Sequence, residues 1–234
     1  MALLDILYRD EHIVAINKPD ALLVHRTRLA GDTVAALQLL RDQINCTVYP
    51  VHRLDRATSG VLLFALDSKV AARLAAAFTE RRIRKWYRAI VRGVTPEQGE
   101  IDHAIIDPDE PVLREAQSVF RRLEILRLDE EIESRPAHYS LVEVEPLTGR
   151  RHQIRRHLKH IHHPIIGDTT YGRGAQNRFF RDRFGVYRLL LHARSIELSH
   201  PMTGDPLRIE VDEREERSWR RLREQTADYW STEG

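Results

Sequence analysis

The chain has 234 residues, 42% hydrophobic and 31% charged, with 11 Gly and 10 Pro, enough for one domain or two small lobes with a real core. That balance excludes a disordered or collagen-like chain, and the longest apolar run, residues 61–66, falls far short of the roughly 20 residues that span a bilayer. A single Cys46 excludes an internal disulfide framework and a multi-thiolate metal site, while the formal net charge of +2 conceals a strong segregation along the chain.

In chain order, residues 12–17 read as a strand ended by the turn Lys18-Pro19-Asp20. Residues 61–66 read as a buried strand after Ser59-Gly60. Ser68 is then placed to cap a helix with Val70, Leu74 and Phe78 at helical spacing. Residues 86–92 alternate as a strand, and Gly93, Pro96 and Gly99 close a hairpin region. Another alternating strand covers 138–145 and stops at Pro146 and Thr148-Gly149. Residues 151–161 read as a helix with Ile154, Leu158 and Ile161 as its core stripe. A strand pair is expected at 189–198 and 206–211. Residues 212–234 read as a charged helical tail anchored by Trp219 and Leu222. The mixture has no regular β-α-β rhythm, so the expected class is α+β, with a mixed, largely antiparallel sheet and flanking helices. Residues 1–211 are expected to form the main domain.

Of 37 basic residues, 33 are Arg. Residues 150–194 hold ten Arg and one Lys against two Asp, and residues 73–92 hold six Arg and one Lys against one Glu. Between them, residues 97–145 carry fourteen acids against five Arg. Segregated blocks of this kind suit a polyanion, and Arg favours bidentate phosphate contacts and stacking on bases. With Asp5, Arg9 and Asp10 interrupting any signal-peptide core, the expected setting is the cytoplasm, with no membrane partner.

Two stretches are placed to carry chemistry. In residues 51–60, Asp55 sits between Arg53 and Arg56 in a polar turn before a buried strand. It is either a loop carboxylate bonded to backbone N–H groups or an active-site acid held ionised by cations. In residues 148–158, Arg150 precedes the expected helix and Arg151 and Arg155 lie one turn apart along its flank, either as a solvated basic face or as an anion site. His157, His160, His162 and His163 match no helical zinc motif, so RNA contacts or packing are expected there and no metal.

Residues 52–55 (His-Arg-Leu-Asp) with Thr58-Ser59-Gly60 resemble the signature of the RluA-type pseudouridine synthases. Residues 85–93 resemble that family's second motif. Residues 148–158, then 163–168 and Tyr171-Gly172, resemble its third, and Asn17-Lys18-Pro19 with Val24-His25 its opening strand and turn. These occur in family order from residue 6 to about 210. The run of residues 150–157 (Arg-Arg-His-Gln-Ile-Arg-Arg-His), with Gln176-Asn177-Arg178 and His192-Ala193, is similar to the branch that modifies tRNA uridine 65. Asp20-Ala21 departs from the pattern, because relatives usually carry Gly in the second place.

The resemblance implies a pseudouridine synthase fold with a central active-site cleft, no S4-type domain, and isomerisation of a uridine to pseudouridine in RNA. The chemistry needs no cofactor, metal or nucleotide. Asp55 would be the essential carboxylate, attacking C1′ or C6 or removing the C2′ proton. Arg155 would pair with Asp55 and keep it charged, and Tyr87 would stack on the uracil with its hydroxyl available for the C5 proton. Arg53 would fill the stack vacated by the flipped uridine, and Arg150, Arg151 and Arg156 would hold phosphates. The expected partner is tRNA, with ribosomal RNA or a non-catalytic RNA-binding role as alternatives, and the expected state a monomer.

Overall fold

The computed structural model describes residues 3–25, 34–107 and 112–232. Its elements in chain order are β1 (Asp5–Arg9), β2 (Ile13–Lys18), α1 (Ala36–Ile44), β3 (Tyr49–Pro50), β4 (Ser59–Ala65), α2 (Ser68–Thr79), β5 (Arg84–Arg92), β6 (Gln98–Asp102) and β7 (Ile105–Ile106). There follow β8 (Leu113–Arg114), β9 (Gln117–Glu131), β10 (Pro136–Pro146), α3 (Gln153–His160), α4 (Gly174–Phe184), β11 (Leu191–Ser199), β12 (Pro206–Glu210), α5 (Arg217–Gln225) and β13 (Trp230–Ser231). The chain divides into two compact units: residues 1–85 with 193–212, and residues 86–192 with 213–234. Among the described residues no helix is long and apolar enough to cross a membrane.

In the first unit, β1 pairs antiparallel with β2, β2 with β4, and β11 with β12, while β4 neighbours β11. Every residue of β4 is buried, which explains why its sequence is a continuous apolar run and not an alternation. Ile13, Ala15, Val61 and Leu63 pack with Val70 and Leu74 of α2. The cap of α2 is Asp67 and not Ser68. Its carboxylate accepts the N–H groups of Lys69 and Val70 at 2.8 and 2.9 Å, and Ser68 is the first helical residue.

The second unit is built on the long antiparallel hairpin β9–β10, with β5 on the β10 side and both β6 and β13 pairing with β9. Ile90, Leu126, Tyr139 and Leu141 form its core with Phe180, Phe184, Trp219 and Leu222. Part of the acidic block is spent on ion pairs inside this unit: Glu143 meets Arg88 at 3.0 Å and Arg121 at 3.1 Å, and Glu124 meets Arg223. The C-terminal stretch is not one helix. α5 lies between short 3-10 turns at Glu213–Glu215 and Ala227–Tyr229, and β13 then adds to the β9 edge at Leu126 and Ile125. Trp219 and Leu222 are buried as expected, but Trp230 is a third anchor: its Nε1 donates to Thr226 Oγ1 at 2.8 Å beneath the Arg223 guanidinium.

Candidate active site

In the first unit, Asp55 and Arg53 share the loop that leads into β4. Leu54 between them is buried, Arg53 is exposed and Asp55 is half-buried. A turn closes at Thr58, whose N–H donates to the Asp55 carbonyl at 3.0 Å. Lys18, wholly buried at the end of β2, donates its ammonium to the carbonyls of Pro19 and Leu22 at 2.8 Å and of Arg56 at 3.2 Å. Arg56 in turn donates Nε to the Ala21 carbonyl at 2.9 Å. The loop and the 18–22 turn thus hold each other through charge-assisted bonds.

Two further contacts fix where the loop enters and leaves. Upstream, His52 Nε2 accepts the Leu63 N–H at 2.9 Å, so its proton sits on Nδ1, and the ring stacks on Phe78. Burial, helped by Lys85, pushes its pKa down to about 3. Downstream, Gly60 has φ 108°, and a Cβ there would lie 2.2 Å from the Ala193 carbonyl oxygen, so only glycine fits. Ala21, the departure from the family pattern, takes a left-handed backbone conformation (φ 59°), which glycine adopts without strain.

In the second unit, Tyr87 is buried in β5 opposite Val144 of β10. Arg150, Arg151, Arg155 and Arg156 surround the start of α3. The helix begins at Gln153, two residues later than its periodicity suggests, because His152 is left-handed (φ 55°). Arg151 is therefore in the preceding turn, exposed, and not one helical turn from Arg155 on a shared flank.

Gln153 sets that turn. Its buried amide oxygen accepts from Thr148 Oγ1 at 2.6 Å and the Arg150 N–H at 2.9 Å, and its NH2 donates to the Gln117 carbonyl and Ser118 Oγ. Arg150 also donates Nε to the Glu115 carbonyl, and Arg156 donates Nη1 to the Ile106 carbonyl. Both arginines are thus partly used in fixing neighbouring backbone.

Arg155 is only 7% exposed, so the helix does not present a wholly solvated basic face. Its Nε and Nη2 make a bidentate pair with Asp168 at 2.8 and 2.9 Å, and the Tyr171 ring lies 5.1 Å from its guanidinium carbon. Asp168 also accepts the N–H groups of Thr170 and Tyr171. Burial alone would raise its pKa, but Arg155 and these two N–H groups outweigh it and hold the carboxyl below the usual range.

His157 and His163 are hydrogen-bonded into the protein, and His160 stacks on His103 with ring centroids 3.7 Å apart. His157 Nε2 faces the His103 carbonyl and therefore donates to it, leaving Nδ1 to accept from Ser118 Oγ. His163 Nδ1 donates to the Arg92 carbonyl. Among the described residues no group of three or more His, Cys, Asp or Glu is placed to hold a metal.

Lys18, Gln153 and Asp168 carry much of this geometry, and sequence reasoning assigned none of them a role. A lysine closing an apolar strand was one signal. The other was arithmetic: a buried Arg155 needs a carboxylate, and residues 150–194 contain only Asp168 and Asp182.

Residues 12–160 match the family model described as RNA pseudouridylate synthase, a span that contains Asp55, Tyr87 and Arg155. The chain belongs to the RNA pseudouridylate synthase family. It is 46% identical over 217 residues to the tRNA pseudouridine synthase C of Haemophilus ducreyi, covering 88% of this chain and 89% of that protein. Against the protein of that name from Pectobacterium carotovorum it is 45% identical, covering 89% of this chain but 59% of the relative's length. Among solved structures, the human RNA Pseudouridylate Synthase Domain Containing 4 is similar with a TM-score of 0.70 and 26% identity, over 94% of this chain and 93% of that one.

Proposed function

We propose that the chain isomerises a specific uridine of tRNA to pseudouridine, with uridine 65 as the target and Asp55 as the essential carboxylate. The observation that carries this reading is the family match across residues 12–160, together with relatives named tRNA pseudouridine synthase C over nearly the full length of this chain. The reaction breaks N1–C1′, turns the base and joins C5 to C1′, so it consumes no cofactor. In this reading Asp55 acts on the ribose or the base, Arg155 supplies the guanidinium that favours its ionised form, and Tyr87 stacks on the uracil. Arg53 fills the stack left by the flipped nucleotide, and Arg150, Arg151 and Arg156 hold phosphates, which positions RNA without reading its sequence. The pinning of the Asp55 loop by Lys18 supports the catalytic role, because a reacting carboxylate must be held in place.

The test uses the purified chain with unmodified tRNA and, separately, unmodified 16S and 23S ribosomal RNA, mapping pseudouridine by carbodiimide-dependent primer extension. New stops at tRNA position 65 are expected. Stops confined to ribosomal RNA overturn the tRNA assignment, and none in any RNA overturns the isomerase reading. Asp55→Ala is expected to abolish product while RNA affinity stays within about tenfold, since arginine–phosphate contacts supply most of the binding.

A further inference from the structure

Tyr187 is 79% exposed, yet its backbone is fixed on both sides. Ahead of it, Gly185 ends α4 in the left-handed conformation, with its N–H donating to the Arg181 carbonyl at 2.9 Å, and Val186 is buried. Behind it, the buried Arg188 donates Nε to the Leu189 carbonyl and pairs with Glu216, the cap of α5, at 2.9 Å. The same helix returns to this loop at Arg221, whose guanidinium lies 2.7 Å from where a Cβ on Gly185 would stand. Tyr187 therefore lies between two points at which its loop meets α5, the helix that carries exposed Arg217 and, one turn on, Arg221.

Packing does not account for such a ring, which contributes almost no buried area. The acid of α4 and the cap of α5 are engaged within the protein: Asp182 with Arg181, and Glu216 with Arg188 and the Ser218 N–H. Among the described residues no ion pair joins Arg217 or Arg221 to a carboxylate, and Arg220 adds a further exposed charge on α5. Glu224, further along α5, leaves that helix net positive. A flat, exposed aromatic ring on a rigid mount, in a loop joined to a helix with exposed guanidinium groups, matches a nucleobase with its flanking phosphates.

We propose that Tyr187, Arg217 and Arg221 form a second RNA-contact surface, on which an unpaired base of the substrate RNA stacks on the tyrosine while the arginines hold the adjacent phosphates. The assignment rests on the reading of the chain as an RNA pseudouridine synthase, and it adds a contact beyond the residues 12–160 that match the family model. Because the mount is already ordered, binding there carries little further entropy cost.

The test measures binding of an end-labelled, unmodified tRNA transcript to the full chain across a salt series, alongside pseudouridine formation. Tyr187→Ala is expected to weaken binding about tenfold, with the loss appearing in KM, while Tyr187→Phe keeps the ring and restores affinity. Arg217→Gln combined with Arg221→Gln is expected to lower the salt slope by roughly two. Wild-type affinity in both Tyr187→Ala and the double arginine variant overturns the proposal, as does a wild-type chain that binds no RNA. An oligomer that dissociates on Tyr187→Ala with RNA affinity unchanged also overturns it, assigning the surface to a second copy. A wild-type chain that binds tRNA but forms no pseudouridine overturns the isomerase reading instead, and the binding comparison still decides the surface.

Discussion

The buried ammonium of Lys18 lies 3.2 Å from the carbonyl oxygen of Arg56, one residue beyond Asp55. This bond ties the end of β2 to the loop that carries the carboxylate. Lys18→Met keeps an unbranched apolar stem one atom shorter and leaves three carbonyls without this donor. It is expected to destabilise the chain by about 1–3 kcal/mol and to lower single-turnover pseudouridine formation further than unfolding explains. Urea unfolding and turnover measured on the same preparation check this; an unchanged midpoint with full activity would remove Lys18 from the positioning of the loop.

Asp168 and Arg155 form a buried bidentate pair, and removing one charge of such a pair costs about 3 kcal/mol or more. Asp168→Asn should show that loss at pH 7. The sign with pH follows from the depressed carboxyl pKa: the unfolded state takes up the proton first as pH falls. The stabilisation is therefore complete above the ordinary Asp value near 4 and is lost as pH drops through the folded value. The gap in denaturant midpoint between wild type and Asp168→Asn should accordingly be smaller at pH 3 than at pH 7.

His52, with its pKa near 3, stays neutral in the folded chain across the physiological range. Between about pH 6.5 and 3 the unfolded chain binds a proton that the folded chain refuses, so this residue makes stability fall as pH is lowered in that window. Its ring carbons should show no titration by NMR between pH 8 and 4.5. A midpoint near 6.5 would show that the ring is solvated and does not accept the Leu63 N–H.

Ala21 is held at φ 59°, a conformation that costs an L-residue roughly 1 kcal/mol. Ala21→Gly relieves this strain but adds freedom to the unfolded chain, so a net gain of about 0.5 kcal/mol is expected. Thermal unfolding measures it; a lower melting temperature would mean that the Ala21 methyl group contributes packing at the turn.

The elements legible in the sequence were those whose pattern is local. β4 and α2 read well because an apolar run and a 3.6-residue stripe survive without tertiary context. Of the β9–β10 hairpin, β10 is legible as the alternating strand 138–145, whereas β9 is hidden because it is rich in Arg and Glu that pair across the sheet, as Arg121 does with Glu143. The start of α3 was misplaced because the left-handed His152 is imposed by the Gln153 network with Thr148 and Ser118, partners far apart in sequence. The candidate site residues came from motif resemblance. What sequence could not supply was their fixing: Lys18 reaching Arg56, and Asp168 clasping Arg155, are contacts between segments that only folding brings together.

Neither unit is a continuous stretch of chain: residues 193–212 complete the first, and residues 213–234 belong to the second. On a ribosome, the first 85 residues therefore emerge well before the strands β11 and β12 that pair within their unit. The β9–β10 hairpin likewise waits for Trp219 and Leu222 to fill its core. Vectorial synthesis cannot finish one unit before starting the other, so nascent intermediates keep open strand edges and depend on shielding until residues beyond 190 are exposed. All three tryptophans, Trp86, Trp219 and Trp230, belong to the second unit. Intrinsic tryptophan emission during refolding thus reports the closing of that unit, while the first unit folds without a tryptophan signal.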